Sequence, residues 1–265
     1  MIVWIAERRE AGCLQARMGR DGNLLVAEWT DLARLYAHRT GEEHHLEIAP
    51  GADLRLVEKI RKGAIPVLLR QLRGALGLHG AAVSLAGRAV ALIGKSGAGK
   101  STLGAALCHF HEATMLADDA IGLEGPPWTV VPLEVDHWLD DASRRALGIE
   151  TPLAARGDEG EHVEESKRPF STRPATHPVR LVAILELAFD EGEIAIEPLG
   201  LLDAMALLVP QTLRFVVDEP DAQRRELDAL AALVQAVPCF RLRRPCRMSV
   251  IERVADVVAS WSRTS

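Results

Sequence analysis

The stretch Gly94-Lys95-Ser96-Gly97-Ala98-Gly99-Lys100-Ser101-Thr102 constrains this chain more than any other. Its first eight residues satisfy G-x-x-x-x-G-K-[ST]. The apolar run "AVALI" (89–93) precedes it and "STLGAALCHF" follows it. The order strand, loop, helix is the setting this motif requires. Glycines let successive backbone N–H groups turn toward one point at a helix N-terminus, and such a point attracts a phosphate. In that arrangement Gly94, Ser96, Gly97, Ala98 and Gly99 shape the cradle. Lys100 contacts the β- and γ-phosphates, the Ser101 hydroxyl ligates Mg²⁺, and Thr102 adds a hydrogen bond. ATP and Mg²⁺ are the expected cofactors.

Two neighbouring stretches narrow what such a loop does. A helix starting at Lys100 and running about eleven residues travels roughly 16 Å. "HEAT" (111–114) can turn the chain. A strand of about five residues then returns roughly the same distance. This brings "MLADDA" (115–120), and with it Asp118 and Asp119, back beside the loop. A carboxylate there can hold Mg²⁺ or accept a proton from an attacking hydroxyl. Upstream, "LHGAAVSLAGRAVALIG" (78–94) reads as a hairpin with Ala86-Gly87 in the turn. Pairing Leu85 with Arg88 sets His79 opposite Gly94. From there His79 can hydrogen-bond a phosphate, orient a carboxylate, or simply bond nearby backbone.

The rest of the chain frames this centre. Residues 1–50 alternate short apolar stretches with polar turns and read as a small strand-rich region. Residues 52–77 have helical spacing broken around Gly63 and Pro66, which predicts two short helices. The division expected is 1–75 for a β-rich region with a helical linker and 76–265 for the catalytic domain, in an α/β class. "ESKRPFSTRPATHP" (165–178) reads as a loop, and "VRLVAILELAF" and "GEIAIEPL" as two strands joined at Asp190-Glu191-Gly192. A helix near 221–236, a strand "CFRLRR" and a last helix from about 248 complete the pattern. The arginines of "CFRLRRPCR" read as charge on an edge strand.

Composition excludes several classes. The 265 residues carry a formal net charge of −6, with five Trp, five Phe and one Tyr, so neither a basic nucleic-acid surface nor a stacking platform is expected. The four cysteines form no CxxC pair. The N-terminus turns charged at Glu7, too early for a secretion signal, and no apolar run has the length of a membrane span. A cytoplasmic protein without nucleic-acid or membrane partners is expected.

The "HG" strand, the hairpin, the loop ending GKS and the "ADD" eighteen residues after Lys100 together resemble the catalytic domain of HPr serine kinase/phosphorylase. That domain is of the phosphoenolpyruvate-carboxykinase-like branch of P-loop folds, and the resemblance covers about residues 78–124. It implies that Lys100 and Ser101 serve the nucleotide, that His79 stands beside the site, that Asp118 is the general base toward a serine, and that Asp119 is its partner. The chain shows neither that enzyme's N-terminal regulatory domain nor its C-terminal signature. In this it looks more like the stand-alone lasso-peptide kinases, which phosphorylate the C-terminal serine of a precursor peptide. The hexamers of the family imply a homo-oligomer.

The leading expectation is an ATP-dependent serine kinase acting on a peptide or small protein, with Ser101 and Asp119 at Mg²⁺ and Asp118 taking the hydroxyl proton. The two aspartates can also exchange these roles. An HPr-type or small-molecule kinase is the alternative, and a P-loop ATPase or nucleotide-dependent switch the second. Lys167 and Arg168 stand in a proline-flanked stretch, where they either neutralise phosphate charge or form a solvated surface pair.

Overall fold

A computed structural model describes residues 1–10, 12–133, 136–149, 167–214 and 220–264. The fold is mixed α/β. Strands β1 (Val3–Glu10), β2 (Cys13–Asp21), β3 (Leu24–Trp29), β4 (Ala33–His38) and β5 (His44–Ile48) form an antiparallel sheet in sequence order. Alternation in β4 turns Ala33, Leu35 and Ala37 inward. Helices α1 (Leu54–Lys62) and α2 (Ala64–Gln71) follow. The Asp53 carboxylate caps α1 by accepting the Arg55 N–H at 2.9 Å. Gly63 separates the two helices. Pro66 lies in the first turn of α2, where a missing N–H breaks no helical bond. Leu25, Ala27 and Leu35 of the sheet pack on Ile60, Ile65 and Leu68 of the helices, and Ala120 joins the same cluster.

The second sheet carries the glycine loop. Strands β6 (Leu76–Leu85) and β7 (Arg88–Ile93) form the expected hairpin with Leu85 opposite Arg88. Its turn residues Ala86 and Gly87 have φ of 51° and 79°, the positive values that a two-residue turn needs to match strand twist. Helix α3 (Lys100–His111) leads to β8 (Thr114–Glu124) and β9 (Thr129–Val131). Then come β10 (Asp136–Leu139), α4 (Asp141–Ala146), β11 (Arg168–Ser171), β12 (Val179–Phe189) and β13 (Ala195–Pro198). Helices α5 (Leu201–Leu208) and α6 (Pro220–Ala236), strand β14 (Cys239–Arg244) and helix α7 (Ile251–Thr264) complete the described chain. The strand order is β13-β14-β12-β7-β6-β8-β9, with β12 parallel to both β7 and β14.

This sheet is covered on both faces, which is why "AVALI" is apolar throughout. Val90 and Leu92 meet Leu103 and Leu107 of α3 and Val254 and Val258 of α7. Ala91 and Ile93 share the opposite layer with Leu208 of α5 and Leu230 and Leu233 of α6. Among the described residues no helix is long and apolar enough to cross a membrane.

Two expectations are corrected. The stretch read as a loop over 165–178 contains a strand, because Arg168–Ser171 pairs with β10. Residues 165 and 166 lie outside the described residues. Pro169 is tolerated there because a two-stranded ribbon leaves one side of each strand unpaired. The two strands expected on either side of Asp190-Glu191-Gly192 are β12 and β13, and β14 lies between them in the sheet. Strand β14 is therefore interior rather than an edge. Its charges are matched in place: Arg241 to Glu186 at 2.6 Å, and Arg243 to Asp190 and Glu197.

Gly80 sits where β6 is sandwiched most tightly. A Cβ there would stand 2.6 Å from the Leu92 carbonyl oxygen, 2.7 Å from Ile93 Cδ1 and 2.9 Å from Ile121 Cδ1. Gly80→Ala is therefore expected to lower stability by about 1–3 kcal/mol through overpacking. Urea unfolding checks this, and an unchanged midpoint would show that the layer yields freely.

Candidate functional site

The loop between β7 and α3 has the backbone that the glycines predict. Gly97 and Gly99 have φ of 78° and 82°, values an L side chain resists. Gly99 is the N-cap of α3 and supplies no side-chain bond to the first turn, so the early N–H groups of the helix lack a cap from within. The Lys100 ammonium folds back over the loop and donates to the Gly94 carbonyl at 2.8 Å and the Lys95 carbonyl at 3.0 Å. Burial, opposed by Asp119 and Asp118, lowers its pKa. Lys95, Ser96 and Gly97 are exposed, and Ala98 is buried. The Thr102 hydroxyl lies 2.9 Å from Ser143 Oγ, at the start of α4, and either atom can donate.

Strand β8 returns beside this loop and delivers the two aspartates into different surroundings. In the β6–β8 ladder Ala81 pairs with Asp118, Gly80 with Asp119 and His79 with Ala120. Asp118 is 1% exposed. Its Oδ2 accepts the Trp138 N–H at 2.9 Å, and its Oδ1 lies 3.8 Å from His137 Nδ1. Burial raises the Asp118 pKa, but the His137 imidazole, the Trp138 N–H and the Ser101 hydroxyl outweigh it and hold the carboxyl below its usual range. His137 is itself fully buried. Burial lowers its pKa, yet Asp118 and the Cys108 thiol push it up to about 9, which favours the protonated ring beside the carboxylate.

Asp119 has a side chain 53% exposed and φ of 86°, an uncommon backbone for a non-glycine residue. Lys59 on α1 donates to its Oδ2 at 2.8 Å. His79 Nδ1 lies 3.1 Å from the Asp119 carbonyl and 3.7 Å from its Oδ1. A carbonyl only accepts, so this contact places a proton on Nδ1. Burial opposes ionisation of Asp119, while Lys59, His79 and Lys167 favour it, and the pKa falls to about 2. Burial, only partly offset by Asp119, lowers the pKa of His79.

Asp118, Asp119, His79, Lys100 and Ser101 thus share one centre. His79 holds Asp119, while the β6–β7 ladder ends at Ala81–Leu92, short of the pairing expected with Gly94. Lys167 lies within electrostatic reach of Asp119 and Lys100. Arg168 turns instead to Asp141, 4.0 Å away. Sequence reasoning missed three participants. His137 on β10 backs Asp118. Lys59 on α1 pairs with Asp119 and stacks 5.2 Å from the Trp138 ring. Arg244 is 4% exposed and donates to the Ala98 carbonyl at 2.8 Å. Its Nη2 would stand 2.5 Å from a Cβ at Gly99, which ties the glycine to the arginine. A signal for Arg244 did exist, because alternation along β14 puts it on the inward face two residues after buried Leu242. Nothing comparable marks Lys59 or His137.

Mg²⁺ fits this donor set. The Ser101 hydroxyl and the Asp118 carboxylate are hard oxygen donors beside the loop, and this ion usually takes one or two such groups and completes its shell with phosphate oxygens and water. Fold and site together define a mixed α/β protein with a glycine loop at a helix N-terminus and an aspartate pair beside it.

No protein-family profile matches the chain, and no curated protein matches it. Among solved structures, the HPr(Ser) kinase/phosphatase from Coxiella burnetii aligns over 71% of this chain and 94% of that one. The alignment has 9% sequence identity and a TM-score of 0.36. A likeness that loose leaves the functional reading to the geometry of the site.

Lys59→Met removes the cation nearest Asp119. Its pKa is expected to rise from about 2 toward the ordinary value of about 3.9. The sign follows from linkage. A carboxyl depressed on folding stabilises the protein above its unfolded pKa, and this contribution is lost as pH falls toward 2. Carboxyl-carbon NMR titration of both proteins reads the shift directly, and superimposed curves would remove Lys59 from this role.

Proposed function

We propose that the protein is an ATP-dependent kinase that phosphorylates a serine hydroxyl of a peptide or small protein. One observation carries the reading. Two adjacent carboxylates beside a nucleotide-type loop lie in opposite environments, Asp118 buried with Ser101 and Asp119 half-open to solvent beside Lys59 and His79. A loop that only sensed a nucleotide has no need of a carboxylate held ionised on the open side, where an attacking hydroxyl can reach it.

The same contrast favours one division of labour. Asp118 with Ser101 would hold Mg²⁺, which when bound draws charge from the phosphates. Asp119, on the accessible side, accepts the serine proton as the oxygen attacks the γ-phosphorus and the bond to the β-phosphate oxygen breaks. His79 keeps Asp119 oriented, and Lys100 leaves the loop carbonyls to meet the phosphates. The work is mainly positioning and charge neutralisation. A serine at the C-terminus of a precursor peptide, as in the lasso-peptide kinases that the sequence resembles, is the acceptor to try first.

Protein, γ-labelled ATP and Mg²⁺ are incubated with serine-ended peptides, a folded HPr-type protein and free hydroxyl compounds. Label is expected on a peptide. Asp119→Asn is expected to lower transfer by about 10²–10⁴-fold, as loss of a general base does, while nucleotide binding persists. Release of label as free phosphate, indifferent to acceptor and to Asp119→Asn, would identify an ATPase instead.

A further inference from the structure

The N-terminal sheet and α1 diverge as they approach the aspartates. At the rear of this wedge Leu25, Ala27 and Leu35 close against Ile60 and Leu68. At the front a cleft of about 450 Å³ stays open, within the roughly 300–1,000 Å³ range of seats for small ligands and side chains. Register explains its sheet wall. Arg8 pairs with Ala16, Ala16 with Trp29, and Ala6 with Met18, so these residues share one face. Ala6 and Ala16 are small where a larger side chain would fill the gap. The opposite wall is α1, with Leu56, Lys59 and Ile60. Leu56 is 37% exposed, an apolar side chain left uncovered a helical turn from Lys59.

The cleft reaches the reacting centre, since His79 and Asp119 line its inner end. Its cations differ in one respect. Arg17 pairs with Glu28 at 2.6 Å, Arg214 with Glu226 at 2.8 Å, and Lys59 with Asp119. Arg8 is exposed, has no ion pair among the described residues, and lies close enough to His79 to affect it electrostatically. A cation with no ion pair among the described residues, beside a bare apolar wall and an ionised carboxylate, matches an occupant that is apolar in one part and anionic in another.

We propose that this cleft seats the phosphoryl acceptor. The acceptor is a peptide segment with a bulky apolar residue beside the reacting serine and an acidic group facing Arg8. The N-terminal sheet is then the specificity wall of the enzyme rather than an appendage. This rests on the kinase reading above, and the test separates the two.

A positional library of short serine peptides, varied with leucine and aspartate on either side, is measured for transfer and, by anisotropy of labelled copies, for binding. Two variants leave the nucleotide loop untouched: Ala16→Leu fills the gap, and Arg8→Glu reverses the charge. The best peptide is expected to carry both a leucine and an aspartate. Either variant is expected to raise its KM and Kd by about tenfold or more, with ATP affinity and thermal unfolding unchanged. Arg8→Glu should recover with a lysine in place of the aspartate. Transfer whose KM stays within about twofold in both variants overturns the seat and leaves the kinase standing. Binding that obeys both variants with no transfer to any peptide upholds the seat and overturns the kinase. A library in which no peptide binds or reacts overturns the seat.

Discussion

Burying the Asp118 carboxylate is the constraint on which the centre of this protein depends. An ionised carboxylate with 1% exposure is tolerable only if charge and hydrogen bonds replace water. The replacements come from two elements of the fold. Helix α3 brings Ser101, and β10 brings both the Trp138 N–H and the His137 ring. For His137 to reach the carboxylate, β10 must cross close to α3, and it does so over Gly104, where a Cβ would stand 2.9 Å from the ring. The position of β10 over α3 thus serves to compensate this one carboxylate.

That compensation also sets Asp118 and Asp119 apart. Neighbours in a strand point to opposite sides, so two consecutive carboxylates cannot both be buried against α3. Asp118 takes the closed side with the His137 ring behind it. Asp119 takes the open side, adopts a positive φ and is tied down by Lys59 and His79. One carboxylate is fixed as part of the scaffold beside the loop, and the other is held ionised at the mouth of a cleft. The fold reaches this division with two adjacent residues because the β6–β8 ladder is close and rigid there, with no room for a side chain at Gly80.

Much of this was legible beforehand, for identifiable reasons. The hairpin register followed from a two-residue turn, and the return of β8 to the loop followed from matching a helix length to a strand length. Both are local geometry. The readings that failed all depended on which strand lies next to which. "CFRLRR" resembles an edge strand because its arginines call for water, yet Arg241 pairs with Glu186 of β12, Arg243 pairs with Asp190 just after β12 and with Glu197 of β13, and Arg244 turns inward to the Ala98 carbonyl. The prolines of 165–178 hid β11, because the ribbon that tolerates Pro169 forms only when β10 is present.

By itself the sequence determined the strand, glycine loop and helix, the hairpin before them and the nearness of two aspartates, because each follows from backbone periodicity over a few tens of residues. Only the tertiary structure decided which aspartate is buried, that Lys59, His137 and Arg244 belong to the centre, and that the N-terminal sheet leaves a cleft opening onto Asp119. The physical reason is that burial and charge pairing depend on atoms brought together from distant parts of the chain. Lys59 and Asp119 are sixty residues apart, and Ala98 and Arg244 are 146 apart, separations that no local pattern can encode.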